Sequence, residues 1–182
     1  MIYHAAATLF RTRGFSASSM RVLAEKMGVE APSLYNHIGS KSELLRNICF
    51  RIANEFLNNM KQVQQLKSDE RSKIEAIIRF HIFMMLNHYD EVYVANHEWR
   101  QLEDIYRTDF LNLRKQYEQQ FIQIISQGIK KGELKKVNPS IAVLVILSAV
   151  RGLEFLNLKK KQLDTPNLTT EITDHLIKGL IQ

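Results

Sequence analysis

Residues 14–45 read GFSASSMRVLAEKMGVEAPSLYNHIGSKSELL, and the organisation of the rest of the chain follows from this segment. It predicts a helix over residues 20–27, with Ser18 and Ser19 as candidate N-caps. Gly28 follows at the place where a helix end favours a left-handed residue. The segment therefore opens with one short helix that ends in a tight turn.

A second, shorter helix is predicted directly after that turn. Pro32 suits its first turn, and the helix runs to about Ile38. Gly39 ends it, and Ser40 to Glu43 form an S-x-x-E capping box that opens the next helix. Two helices joined through a glycine turn, the second one short, are the arrangement of a helix-turn-helix.

The second helix has two different faces. Leu34 and Ile38 are four residues apart, so they share a face that packs into the core. The other face and its flank carry Ser33, Tyr35, Asn36 and His37. Short polar and aromatic side chains suit a helix laid in a major groove. The same pattern also fits an ordinary solvated turn of helix, so the pattern alone leaves both readings open.

The segment resembles the DNA-binding domain of the TetR family of bacterial transcriptional regulators. The matching features are Ala6, Leu9, Phe10, Gly14-Phe15, Ser19, Arg21, Leu23-Ala24, Gly28-Val29, Ser33-Leu34-Tyr35-Asn36-His37, Ser40-Lys41 and Leu44-Leu45. Ile38 stands where an aromatic residue is usual, and we expect it to fill the core. The printed sequence also begins inside the first helix, without the short basic arm that many members carry.

The resemblance and the polar face together predict a DNA interface. We expect Ser33 and Asn36 to contact bases. We expect phosphates to be held by Ser19, Tyr35, His37 and Lys41. Arg21 and Pro32 complete the expected interface. The partner implied is a double-stranded, near-palindromic operator.

Composition and charge are consistent with a DNA-binding protein of the bacterial cytoplasm. The 182 residues are 45% hydrophobic, enough for a core, and no apolar run reaches transmembrane length. The net charge is +6; residues 1–48 hold six Lys/Arg against three Asp/Glu, so half of it lies in the first quarter of the chain. The single cysteine, Cys49, excludes an internal disulfide and is expected to be a buried core residue in a reducing compartment.

The rest of the chain predicts an all-α protein of about nine helices. Residues 40–127 contain neither glycine nor proline, which favours long helices. After the three N-terminal helices, the expected elements are a fourth from Lys41 to about Val63, a fifth capped by Ser68-Asp69, a sixth over about 91–102, a seventh over 105–131, an eighth from Asn138-Pro139 to about Leu158, and a ninth capped by Thr169. Between the last two, residues 159–166 are expected to form a charged loop. The predicted domains are a DNA-binding domain over 1–48 and an effector-binding and dimerisation domain over 49–182.

The eighth helix is apolar nearly all round between Ile141 and Val150. Such a helix is enclosed on most sides. The simplest enclosure is a homodimer in which the eighth and ninth helices pair with their partners, as the resemblance also implies. Charging the helix, for example by Leu147→Glu, is then expected to give a monomer or an unfolded protein and to abolish operator binding.

The resemblance further implies an effector pocket in the C-terminal domain, enclosed by the fourth to the eighth helices. The C-terminal match is looser and is similar to the subgroup that responds to fatty-acyl or steroid-derived coenzyme A thioesters. It rests mainly on Arg79-Phe80-His81, Glu98-Trp99-Arg100, Gly132-Glu133-Leu134 and Asn138-Pro139. Its expected lining is Phe80, Met84, His88, Trp99, Arg151 and Phe155. Arg151 has two readings, either an ion pair with Glu154 or a contact to an anionic ligand group. We expect a repressor that a small apolar or acyl ligand releases from DNA.

Two other classes of protein, an enzyme and a metal- or redox-responsive regulator, have weaker support in the sequence. The sequence has no glycine-rich phosphate loop, no G-x-S-x-G and no H-E-x-x-H, so an enzyme is not expected. A metal- or redox-responsive regulator of the same fold would use His81, His88, His97 or Cys49. His81 and His88 are expected on one helix face, but two turns apart, farther than paired ligands usually lie. Core or pocket histidines are therefore favoured, and no cofactor or metal is expected.

Overall fold

The N-cap side chains of this chain set where its helices begin. Ser19 Oγ accepts a hydrogen bond from the Val22 N–H at 3.2 Å, and Asp69 Oδ1 accepts one from the Ser72 N–H at 2.8 Å. Asn138 Oδ1 accepts from the N–H groups of residues 140 and 141, with Pro139 in the first turn. All three caps lie where the sequence predicts them.

The computed structural model describes residues 2–155 and 165–181, with all side chains in those ranges except the side chains of residues 36, 37, 165 and 166. Within them the α-helices are α1 Ile2–Arg13, α2 Met20–Met27, α3 Ala31–His37, α4 Lys41–Gln64, α5 Glu70–Asn87, α6 Tyr89–His97, α7 Asp104–Lys130, α8 Pro139–Arg151 and α9 Thr165–Lys178. Short 3-10 turns cover Trp99–Gln101 and Gly152–Phe155. The described residues contain no strand, so the prediction of an all-α fold with about nine helices is confirmed.

Three predicted helix ends were wrong. The sixth helix ends at His97 and continues as a 3-10 turn, in which the N–H groups of Gln101 and Leu102 bond carbonyls only three residues back. The ninth begins at Thr165, four residues before the expected cap, since a proline at position 166 fits a first helical turn. The eighth gives way to a 3-10 turn at Gly152. The expected charged loop, including Lys159-Lys160-Lys161, lies largely outside the described residues.

The chain divides into two compact units, which differ from the predicted domains. The first unit comprises the residues up to Glu55 together with His88–Arg114, so it contains α1, α2, α3 and α6. Its core is built from fully buried apolar side chains of the helix-turn-helix and of α4, namely Ala6, Leu9, Phe10, Leu23, Leu34, Leu44, Leu45 and Ile48. The boundary proposed at residue 48 concerns function and stays a prediction.

The second unit comprises Phe56–Asn87 and the residues from Lys115 onward. In it α5 packs against α8 and α9. Its core carries Ile74, Ile77, Ile78, Phe121, Ile125, Val143, Ile146 and Ile177. Glu70, buried at the start of α5, accepts hydrogen bonds from Lys73 and Lys131, which balance its charge. No helix of the described residues combines the length and the apolar character that crossing a membrane requires.

Candidate functional site

The turn between α2 and α3 has the geometry that its sequence predicts. Gly28 has φ 67° and ψ 28°, the left-handed conformation that glycine adopts without steric cost. Its N–H bonds the Glu25 carbonyl, and the Val29 N–H bonds the Ala24 carbonyl at 3.1 Å. This double closure of the α2 C-terminus fixes the direction in which α3 begins.

Helix α3 buries one face and exposes the other. Leu34 and Ile38 are buried, as expected from their spacing. Pro32 and Ser33 are exposed, and Tyr35 is 51% exposed although it is a large aromatic side chain. The side chains of Asn36 and His37 lie outside the described part of the structure. The described half of the predicted reading face is therefore open to a partner.

The flanks of the helix-turn-helix are held by local polar contacts. Arg21 is exposed on α2, and its Nε lies 3.3 Å from the Glu25 carboxylate. At the start of α4 the Glu43 N–H donates to Ser40 Oγ, and Glu43 Oε2 accepts from the Gly39 N–H, both at 3.1 Å. The predicted capping box thus forms, with its return bond one residue further upstream than usual.

Lys41, expected to hold a phosphate, contacts the protein's own backbone. Its Nζ donates to the carbonyl oxygens of Phe15, Ser16 and Ser18 at 2.8, 3.3 and 2.9 Å. The same nitrogen lies 4.4 Å from the centroid of the Phe15 ring. Lys41 therefore ties the first residue of α4 to the loop between α1 and α2.

A polar contact between α1 and α6 was not predicted from the sequence. Arg11 Nε lies 2.5 Å from Asp90 Oδ1, and Thr8 Oγ1 donates to the other oxygen of the same carboxylate. Glu91 Oε1 is shared by His4 at 3.2 Å and Arg51 at 3.4 Å. Asp90 and Glu91 are both buried, so these partners offset the cost of removing the two carboxylates from water.

The residues expected to line an effector pocket are not placed in one unit. Phe80, Met84, Arg151 and Phe155 belong to the second unit, whereas His88 and Trp99 belong to the first. Met84 is buried, and Phe80 packs edge-on against Phe56 with the ring centroids 5.5 Å apart. Phe155 is 85% exposed, and Trp99 lies against the Arg100 guanidinium.

Arg151 does not form the ion pair considered for it. Its side chain is exposed, and within the described residues no ion pair joins it to Glu154. Helix α8 ends at Arg151, and Glu154 lies in the 3-10 turn that follows. The charge of Arg151 nevertheless acts on His81.

A histidine–tyrosine pair lies among aromatic rings in the second unit. His81 Nε2 and Tyr117 Oη are 2.8 Å apart, and the His81 ring stacks on Phe56 with a centroid distance of 4.5 Å. Burial lowers the pKa of His81 to about 3, with a smaller contribution from the Arg151 charge. Burial also raises the pKa of Tyr117 well above its ordinary value. Both groups are therefore neutral at physiological pH.

The metal and redox alternative gains no support from the described residues. No three His, Cys, Asp or Glu side chains in residues 2–155 and 165–181 come together as metal ligands. The expectation that His81 and His88 share a helix face was wrong, because α5 ends at Asn87 and His88 is the N-cap of α6. The His97 ring stacks on Tyr93, and Cys49 is buried with its pKa raised to about 12.

Helix α8 exposes an apolar stripe. Ile141, Leu144 and Val145 follow helical spacing and are each more than half exposed, at 55, 57 and 55%. Leu147, in contrast, is buried on the opposite face, so a charge there would test folding and not association. Exposed apolar surface is common where proteins bind ligands or other proteins.

Two family models match the chain. "Bacterial regulatory proteins, tetR family" matches residues 2–48, and "Tetracyclin repressor-like, C-terminal domain" matches residues 67–154. The first match covers α1 to α3 and the start of α4, and the second covers the helices from α5 into the 3-10 turn after α8.

Several proteins of similar sequence or similar fold are named as transcriptional regulators. The chain is 21% identical to the HTH-type transcriptional repressor KstR2 of Mycolicibacterium smegmatis over 155 residues, which are 85% of this chain and 74% of that protein. The structure of the ketosteroid transcriptional regulator KstR2 of Mycobacterium tuberculosis superposes with a TM-score of 0.91 at 16% identity, covering 100% of this chain and 93% of that one. The structure of AibR in complex with isovaleryl coenzyme A and operator DNA superposes with a TM-score of 0.83 at 23% identity, covering 99% of this chain and 96% of that one. These two superpositions are likenesses of fold.

Proposed function

Because the chain belongs to the tetR family of bacterial regulatory proteins, we propose that it is a transcriptional repressor that binds an operator as a homodimer and is released by a small effector. The observation that carries the proposal is the exposed face of α3. Ser33 and Tyr35 are exposed on it, while Leu34 and Ile38 anchor the helix from behind. A short helix held in this way after a fixed turn is the form in which a major groove is read.

The side chains divide into two kinds of DNA contact. Ser33 and Asn36 are proposed to reach base edges, because their short polar groups donate and accept hydrogen bonds. Ser19, Tyr35 and His37 are proposed to hold phosphates, with Arg21 and Pro32 beside them. The Ser19 oxygen already accepts the α2 cap bond, and its hydroxyl proton remains available as a donor. Lys41 belongs to the same surface.

The assignment is tested by selecting bound duplexes from random DNA and measuring variants on the selected site. Two reading helices related by a two-fold axis should select half-sites roughly 34 Å apart. Tyr35→Ala should weaken binding to all duplexes alike, because a phosphate contact carries no sequence information. Phe83→Ala removes a comparably exposed aromatic side chain of the second unit and should leave binding unchanged. If the Tyr35 variant binds the operator like the parent, the assignment of α3 to the DNA interface is wrong.

The homodimer is proposed to form through α8 and α9. The exposed stripe of Ile141, Leu144 and Val145 supports this choice. Covering the exposed half of each of these side chains contributes roughly 1 kcal/mol per side chain. Pairing the same stripe on two chains satisfies a two-fold interface, in which one surface faces itself.

The effector is proposed to be a small apolar or acyl compound, including an acyl-coenzyme A. The support is the AibR complex with isovaleryl coenzyme A, the ketosteroid regulator of similar fold, and the buried methionine side chains of α5, Met84 and Met85. Phe80, Met84, His88, Trp99 and Phe155 remain proposed contacts. Arg151, exposed and not paired with Glu154, is proposed to meet an anionic group of the ligand.

A further inference from the structure

The ammonium group of Lys41 lies where backbone carbonyls of the α1–α2 loop converge. Nζ donates to Phe15 O at 2.8 Å, to Ser16 O at 3.3 Å and to Ser18 O at 2.9 Å. An ammonium group has three N–H donors and no acceptor, so these bonds use all of its hydrogen-bonding capacity. A phosphate oxygen could receive a hydrogen bond from Lys41 only after one of the three is broken.

The Phe15 ring holds the same ammonium group from a further direction. The ring centroid lies 4.4 Å from Nζ, within the range of a cation–π contact. Phe15 is itself buried and packs edge-on against Phe10, with the centroids 5.2 Å apart. The position of the charge is therefore set by the core of the first unit.

The loop needs this cation because its carbonyls lie outside the α2 hydrogen-bond ladder. That ladder begins at Ser19, whose carbonyl accepts from the Leu23 N–H at 3.1 Å. The carbonyls of Ser16 and Ser18 precede it and take their donor from Lys41. Ser19 also caps α2, so a displacement of the loop would displace the cap and the first turn of the helix.

We propose that Lys41 is a positioning residue of the DNA-binding surface. Its ammonium group fixes the α1–α2 loop, and thereby Ser19 and the start of α2, instead of binding a phosphate. This role differs from the phosphate contact expected from the sequence. The inference rests on the proposed function for its effect on DNA binding, whereas the loop contacts themselves are formed without DNA.

The first experiment measures amine reactivity in the unaltered protein. Limited acetylation with acetic anhydride, followed by peptide mass spectrometry, compares Lys41 with Lys26, an exposed lysine of α2. Lys41 should react at least about tenfold more slowly than Lys26, because its donors are bound to carbonyls that only local opening releases.

The second experiment measures the salt dependence of operator binding. Lys41→Met keeps an unbranched apolar side chain over Phe15 but removes the charge and its three hydrogen bonds. Its affinity should fall while the slope of log K against log salt stays that of the parent, because no phosphate contact is lost. Lys67→Met, a change at an exposed lysine of the second unit, should alter neither quantity.

Two results would overturn the inference. One is a Lys41 that reacts as fast as Lys26 in the free protein, whether or not the duplex protects it. The other is a salt slope that falls by about one in Lys41→Met, which is the signature of a lost phosphate contact. The acetylation arm needs neither DNA nor a variant, so it decides the loop contacts even if the protein binds no duplex or Lys41→Met does not fold.

Discussion

Burial raises the pKa of the Cys49 thiol to about 12, and this side chain is fully enclosed in the first unit. The nucleophile in thiol chemistry is the thiolate, so Cys49 should be inert at neutral pH. A chromogenic aromatic disulfide at pH 8 should release almost no colour from the native protein and the equivalent of one thiol per chain in denaturant. Rapid stoichiometric reaction of the native protein would instead support the hypothesis that Cys49 is a redox sensor.

The depressed pKa of His81 links its protonation to stability. The folded protein takes up this proton near pH 3, whereas the unfolded chain does so near the ordinary value of 6.5. As pH falls, the unfolded state is protonated first, so stability that is present above pH 6.5 is lost below it. The loss amounts to about 2 kcal/mol between pH 7 and pH 5.

Comparison of the parent with His81→Gln isolates this effect. Glutamine does not titrate, and its amide keeps a hydrogen-bonding group within reach of Tyr117. Denaturant unfolding at pH 7 and pH 5 should show that the parent loses about 2 kcal/mol more than the variant over this interval. Equal losses in both proteins would mean that His81 titrates as a solvent-exposed histidine.

At the scale of the element, α8 gives a test of assembly. Leu144→Glu places a charge in the exposed apolar stripe and should convert the dimer into a folded monomer that no longer binds the operator. Sedimentation gives the mass and circular dichroism the helix content. Leu111→Glu is the matched control, an exposed leucine of α7 in the first unit, and should remain dimeric. A folded Leu144→Glu dimer would place the interface elsewhere.

The helices that the sequence predicts best are those whose ends are set locally. Ser19, Gly28 and Asn138-Pro139 act on groups within a few residues, so caps and turns could be predicted from short segments. The two faces of α3 follow from the spacing of Leu34 and Ile38 in the same way. Local chemistry was sufficient for the helix-turn-helix and for most of the helix order.

The features that sequence reasoning missed depend on residues far apart in the chain. Arg11 and Asp90 are 79 positions apart, and no periodicity or cap connects them. The three bonds of Lys41 reach back 23 to 26 positions to a loop with no regular structure. A resemblance places such a lysine at the surface but does not show where its donors point.

At the scale of the whole molecule, an effector must act through a difference in affinity between two states. A long-chain acyl-coenzyme A should raise the melting temperature and weaken operator binding by roughly 5- to 150-fold, the usual range of coupling between sites. By linkage, the operator should weaken effector binding by the same factor. Calorimetric titration of the protein with the acyl-coenzyme A, with and without operator, measures the change in effector affinity. Free coenzyme A serves as the control ligand without an acyl chain.

The Arg151 assignment is separable from the class of ligand. Arg151→Ala should weaken the response to the acyl thioester more than it weakens DNA binding, because an anionic ligand group loses its partner. Arg79→Ala, at another exposed arginine of the second unit, should respond like the parent. If the Arg151 variant responds fully, Arg151 is not a ligand contact, but the acyl ligand class stands. If calorimetry detects no binding heat for acyl thioesters of any chain length, the ligand class is wrong and the DNA-binding assignment still stands.

The carboxylate of Asp90 also limits how this regulator can be recombined. A chimera cut at residue 48 would transplant Arg11 and Thr8 but leave Asp90 and Glu91 behind, buried and facing a foreign first helix. Removing the partner of a buried charge costs about 3–5 kcal/mol, a large share of a typical domain's stability. We therefore expect a portable DNA-reading module to be discontinuous in the gene, with residues 88–114 travelling together with the residues up to 55.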